Sequence, residues 1–245
     1  MKKWIDIKGD VAEQMLRYAY LMHLNRCGYD VGAVAAGKWI ADIFPNLPKC
    51  DIRSRKMRER LGIASLRKSH DFGFKEWMNY ENVDELGGLA QNIFTLNDGV
   101  CPDSYAEIID RLSVGESVAV HVLSPAKRTS TCTHDYYNWA ISGIRSWIEA
   151  PHFVVVTDDE KWAKENLMIE NADWIYLPTK QHELVFEALR HAKHNIINNS
   201  LTSWWGAWLN SNPDKIVAAP KTWSRDAAEN AVNLIPLYWT IVPIN

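Results

Sequence analysis

Between an apolar pair, Ile196-Ile197, and the tryptophans Trp204, Trp205 and Trp208 lies a run of small polar side chains: Asn198, Asn199, Ser200, Thr202 and Ser203. Their types and spacing suit anion binding. The first backbone N–H groups of a helix have no internal partner and carry partial positive charge. Hydroxyl groups beside them add donors, and a phosphate fits such a place. No glycine-rich loop is present, so hydroxyls and amides would replace it. The same residues also suit a capped helix with an aromatic core face, and spacing alone leaves both readings open.

Two further segments bring polar groups to equivalent positions. In "VVVTDD", Thr157, Asp158 and Asp159 follow an apolar run. A carboxylate there can accept hydrogen bonds from a ribose or a base N–H, or it can cap the next helix. In "VAVHVLSPAKR", His121, Ser124, Lys127 and Arg128 follow another. Lys127 and Arg128 could face a pyrophosphate; His121 alone is more often a packed strand histidine than a catalyst.

These groups need a scaffold, and the pattern of the chain supplies one. "WIDI" reads as a strand, "DVAEQMLRYAYLMHLNRCG" as a helix stopped by Gly28, and "YDVGAVA" as a strand. The middle is weakly patterned, with a helix expected over 53–61. From 115 onward strands and helices alternate: "ESVAVHVL", "YYNWAISGIRSWIE", "HFVVVTDD", "EKWAKENL", "DWIYL", "QHELVFEALRHA", "HNIIN", "SWWGAWLN" and a last strand, "KIVAAP". Continuous apolar strands alternating with helices mean a parallel sheet covered on both faces. The expected class is α/β, with an N-terminal α/β domain at 1–114 and a Rossmann-like domain at 115–245. In such sheets ligands bind beyond the carboxyl ends of the strands, where all three polar segments fall.

The composition narrows the function classes. The chain has 245 residues, with 30 acidic and 27 basic residues and a formal net charge of -3, which argues against a general nucleic-acid binder. The basic run from Arg53 to Arg60 has neighbouring acids and reads as a solvated helix face. Cys27, Cys50, Cys101 and Cys132 form no metal-ligand spacing, so reduced thiols, no metal site and a cytoplasmic location are expected. The N-terminus lacks the apolar core of a signal peptide, and no apolar run has membrane-spanning length.

"KHNIINNSLTSWWGAWLNSNPDKIVAAPKTW", Lys193 to Trp223, closely resembles the C-terminal motif of the bacterial α-1,2-fucosyltransferase-like family, glycosyltransferase family 11. "VVVTDDEKWAKENL" is similar to that family's strand-Ser-Asp-Asp segment. "GDVAEQMLRYAYLMHL" is similar to a worn form of its N-terminal glycine-rich signature, with Gly9, Gln14, Met15, Tyr18 and Ala19 matching. The resemblance implies a GT-B arrangement, two Rossmann-like domains facing a cleft. It implies inverting transfer of fucose from GDP-fucose to a glycan acceptor, with no metal cofactor. Asn199, Ser200, Thr202 and Ser203 would serve the donor's phosphates, and Asp158 and Asp159 its nucleoside end. Gly9 and Gln14 would line the cleft from the N-terminal, acceptor-side domain.

The departures from the family pattern are specific. Where the family has Arg-Arg-Gly-Asp after His-Val, this chain reads Leu123-Ser124-Pro125-Ala126. The arginine that would grip the β-phosphate is missing from its place, and a bidentate arginine is poorly replaced by a lysine. Val11-Ala12-Glu13 replaces Leu-Gly-Asn, and Ala12 is ill suited to a positive φ. Three explanations compete: Lys127 or Arg128 restores the charge, the donor is a different nucleotide sugar, or the chain is an inactive relative that binds glycan or nucleotide. Asp10, Glu13 and His121 are base candidates by position.

Overall fold

A computed structural model describes residues 2–35, 40–54, 74–97, 105–124, 130–177, 182–223 and 234–243. The chain divides into two compact units, Met1–Val100 and Cys101–Asn245. The division falls before the expected boundary at 114–115. The reason is a helix, Ala106–Leu112, which packs on the second sheet and on the helix His182–His191 of that unit.

The first unit holds β1 (Lys3–Ile7), α1 (Val11–Arg26), β2 (Val31–Ala35) and β3 (Ile52–Ser54). Its three strands are parallel in the order β1-β2-β3. Three short helices follow: α2 (Phe74–Trp77), α3 (Tyr80–Asp84) and α4 (Gly87–Ile93). Residues 53–54 therefore belong to a strand rather than to the expected helix, whose remaining residues lie outside the described ones. Asp10 caps α1 by accepting from the Glu13 N–H at 2.9 Å. Ala12 sits inside that helix and is buried, so it needs no positive φ. The left-handed position is Gly9, at φ 92°, where a Cβ would meet the Glu13 side chain.

The second unit runs α5 (Ala106–Leu112), β4 (Ser117–Val122), α6 (His134–Trp147), β5 (His152–Thr157), α7 (Glu160–Asn166) and β6 (Asp173–Tyr176). It continues with α8 (His182–His191), β7 (His194–Ile196), α9 (Leu201–Leu209), β8 (Val217–Pro220) and β9 (Thr240–Val242). All six strands are parallel, in the order β6-β5-β4-β7-β8-β9. β9, after the expected last strand, is only three residues long, and its alternation is too brief to stand out.

Strand periodicity sorts the side chains. Val118, Val120 and Val122 join Tyr136, Tyr137, Ile141 and Phe153 in a core on the α6 face. Ala119 and His121 consequently turn to the opposite face, where α8 packs on β4, α5 and α9. At the amino ends of the strands, the Ile216 N–H donates to His194 Nδ1 at 3.0 Å, and His194 Nε2 lies 3.0 Å from Glu116 Oε2. Lys193 Nζ donates to the same carboxylate, and together these contacts lower the Glu116 pKa.

Residues Thr202 to Leu209 of α9 are all buried, as expected of a helix apolar on every side. Trp204 stacks on Trp208 at 5.9 Å and meets Trp205 edge-on at 5.0 Å. The Trp204 Nε1–H donates to the Leu234 carbonyl at 2.6 Å, which answers the indole's need for a partner. Gly206 lets α8 approach: a Cβ there would lie 2.6 Å from Leu189 Cβ and 3.0 Å from the Phe186 carbonyl oxygen. Neither neighbour is a flexible side-chain end. Gly206→Val is expected to lower stability by about 3 kcal/mol, at the upper end of overpacking costs, read as a lower denaturant midpoint with unchanged slope.

Candidate functional site

The order of the second sheet locates a crevice. From β4 the chain moves outward to β5 and β6, then returns to place β7 on the other side of β4. α6 leaves β4 toward one face, whereas α9, which follows β7, bonds to His121 on the other. Loops diverging from adjacent parallel strands leave a gap beyond their carboxyl ends, at the topological switch point. The polar segments read from the sequence all converge there.

Ser200 is the N-cap of α9: its Oγ accepts from the Ser203 N–H at 3.2 Å. The helix therefore starts at Leu201, earlier than the tryptophan block, and ends at Leu209 ahead of Asn212-Pro213. Ser203 is fully buried. Its Oγ lies 2.5 Å from His121 Nδ1 and donates to Asn198 Oδ1 at 3.0 Å. Asn198 Nδ2 donates in turn to the His121 carbonyl at 3.2 Å, closing a ring across β4, β7 and α9. Thr202 Oγ1 lies 3.4 Å from His182 Nδ1.

Asn199 binds loops together. Its Oδ1 accepts from the Thr131 N–H at 3.2 Å and its Nδ2 donates to the Trp223 carbonyl at 2.9 Å. Thr131 Oγ1 adds a bond to the Thr222 carbonyl at 2.8 Å. The two aspartates bond to different partners within the protein. Asp159 caps α7, accepting from the Trp162 N–H at 3.0 Å. Asp158 accepts from the Ser124 N–H at 3.0 Å and so ties the end of β5 to the loop after β4.

Two buried phenols underlie this edge. Tyr136 Oη donates to the Ile197 carbonyl at 2.5 Å and lies 3.2 Å from the Ala218 carbonyl. Tyr137 Oη accepts from the Leu123 N–H at 3.4 Å. Burial pushes both phenols well above their ordinary pKa, so they stay neutral. Burial also raises the Cys132 thiol to about 12, which removes it as a nucleophile at neutral pH.

After these bonds the Leu201 and Thr202 amides of α9 have no acceptor among the described residues. The hydroxyls of Ser200 and Ser203, by contrast, are bonded within the protein. Lys127 and Arg128 lie outside the described residues. Lys221, the residue after β8, is exposed at the same edge and forms no ion pair among the described residues. Sequence reasoning missed Lys221, Thr131, Tyr136 and Tyr137. Lys221 was legible as the first residue past an apolar strand; the other three act through tertiary contacts that no local pattern announces. In the first unit, Gln14 is buried and its Nε2 donates to the Gly9 carbonyl at 3.1 Å. No helix among the described residues is long and apolar enough to cross a membrane.

Tyr136→Phe removes the donor to the Ile197 carbonyl just past β7, while the Ala218 carbonyl keeps the Ile197 N–H. It is expected to cost about 1–3 kcal/mol, the penalty for leaving a buried polar group unpaired, measured by urea unfolding.

Comparison with known proteins bears on this arrangement. Residues 112–240 match glycosyl transferase family 11, slightly more than half of the chain. An alpha-1,2-colitosyltransferase of Escherichia coli is 28% identical over 211 residues, covering 80% of this chain and 71% of the relative. The O-antigen biosynthesis glycosyltransferase WbnK of Escherichia coli is 38% identical over 92 residues, 36% of this chain and 30% of WbnK. Among solved structures, the fucosyltransferase NodZ from Bradyrhizobium aligns with a TM-score of 0.53 at 11% identity, covering 85% of this chain and 92% of NodZ. The E. coli ADP-heptose LPS heptosyltransferase II aligns with a TM-score of 0.50 at 12% identity, covering 99% of this chain and 90% of that one. At such identities the structural likeness speaks for the fold alone, and that fold is GT-B-like α/β.

Proposed function

The chain belongs to glycosyltransferase family 11, and on that premise we propose that it transfers fucose, with inversion, from GDP-fucose to a hydroxyl of a glycan acceptor. The observation that carries the donor side is the pair of amides, Leu201 and Thr202, without an acceptor among the described residues at the β4/β7 switch point. The name of the colitosyltransferase relative supports a sugar transferase forming an α-1,2 linkage.

In the proposed reaction an acceptor oxygen bonds to the anomeric carbon as the bond to the diphosphate breaks. The hydroxyl proton passes to a base, for which Asp10, Glu13 and His121 are the candidates. The electron pair of the broken bond stays on the departing GDP, and stabilising that charge is the main catalytic demand. The α9 amides offer dipoles for it, and Lys127, Arg128 or Lys221 supplies the cation that the missing arginine would have provided. The reading needs no metal. Asp158 keeps its assignment to the nucleoside end through the loop it ties to β4, and the first unit, with Gly9 and Gln14, takes the acceptor side.

Isothermal titration with GDP tests the donor site, and release of GDP from GDP-fucose with a glycan acceptor tests turnover. Arg128→Ala is expected to lower the rate by on the order of a hundredfold while leaving the fold intact. Binding of GDP without release, unchanged by that substitution, would identify an inactive relative, the reading favoured by the absent arginine. Protection from heat by another nucleotide sugar but not by GDP-fucose would reassign the donor.

A further inference from the structure

The end of α1 carries a cluster that the proposed transfer does not use. Cys27 is the residue after that helix, and it is exposed. Its Sγ lies 3.7 Å from Nε2 of His23, one helical turn back. The other ring nitrogen, His23 Nδ1, lies 3.6 Å from Glu85 Oε2. Glu85 ends α3, and Arg26 Nη1 donates to its carbonyl at 3.1 Å, which ties that helix end to α1. The His23 ring stacks on Tyr20 at 6.4 Å and packs against Trp77 at 5.7 Å, so its orientation is set by neighbours. Gly28 follows Cys27, and a Cβ there would meet nothing within 4 Å, so the chain beside the thiol is uncrowded.

Sulfur, imidazole and carboxylate in this order can activate a thiol. The thiolate is the nucleophile, and an adjacent base makes it by taking the proton. The Glu85 carboxylate draws a proton to Nδ1, which leaves Nε2 to accept, and it stabilises the imidazolium that results. Beside Glu85, the charged or titratable side chains nearest the pair are Arg26 and Tyr20. No three His, Cys, Asp or Glu side chains among the described residues could hold a metal ion together, so proton transfer is the chemistry open to the cluster. The other described cysteines differ: burial pushes the Cys50 thiol up and the Cys132 thiol to about 12.

We propose that Cys27 is a modification site, made reactive toward small-molecule disulfides by His23 and Glu85. His23 Nε2 takes the thiol proton. Cys27 Sγ then bonds to one sulfur of the disulfide as the S–S bond breaks. The second sulfur leaves as a thiolate and takes the proton from the imidazolium. The Cys27 sulfur is oxidised and the departing sulfur reduced, so one disulfide yields one mixed disulfide and one free thiol.

Oxidised glutathione is the probe, used on the full chain at about pH 7. The chain is expected to gain one glutathione, located on Cys27 by peptide mapping and absent from Cys27→Ser. His23→Gln should slow the reaction about tenfold at that pH, less than the roughly hundredfold of a base in a closed active site. The two rates should converge near pH ~10, where an exposed thiol ionises without a base. Glu85→Gln changes an exposed side chain and should keep the wild-type unfolding midpoint. It should slow the neutral reaction about two- to threefold, the weight of an exposed ion pair, and so decides the case if His23→Gln fails to fold. A first adduct on another cysteine would overturn the inference. A neutral-pH rate that neither substitution changes would do the same, as would losses equal at both pH values.

Discussion

Two parallel strands, β4 and β7, lie side by side in the second sheet while the segments that follow them depart toward opposite faces. That divergence constrains everything at the carboxyl edge. Backbone groups on the loops leaving the sheet lose their ladder partners and must find others or face solvent. The chain meets the requirement with side chains drawn from α6 and from the loops after β5 and β7. Tyr136 holds the exit of β7 and Asp158 the exit of β4, while Asn199 joins Thr131 to Trp223.

One consequence is a division between what fixes the site and what remains to bind. The side chains of Asn198, Asn199, Ser200 and Ser203 hydrogen-bond within the protein, and their effect is to set the loops and His121. The buried tryptophans of α9 hold the helix axis, and Gly206 lets it sit close to α8. A rigid helix start presents the Leu201 and Thr202 amides in a fixed direction. Preorganised dipoles of this kind stabilise developing charge without reorganising during reaction. The chain lacks the arginine that would add to them after His121-Val122, and the proposed reaction assigns that charge to Lys127, Arg128 or Lys221.

The alternation of the second unit was legible from 115 onward because β4, β5 and β8 are buried along almost their whole length and α6 and α8 each have a buried stripe. Short pieces were not. β9 and β3 have three residues each, too few to establish a period. The boundary moved because α5 packs against α8, a contact between residues far apart in the chain. At the site, the positions of the polar clusters followed from strand ends, but their partners did not. Asp159 next to an apolar helix start read as a cap and is one. Ser203 read as a phosphate ligand by family resemblance. Its bond to His121, 82 residues away, depends on which face of β4 that ring occupies, and only the valines at 118, 120 and 122 reveal it.

The most direct test of the donor site is a crystal structure of the chain with GDP bound. The account predicts the diphosphate beyond β4 and β7, within hydrogen-bond distance of the Leu201 and Thr202 amides, with the loops tied by Asn199 and Asp158 unmoved. A nucleotide seated on another part of the chain, with those two amides still turned to water, would contradict it.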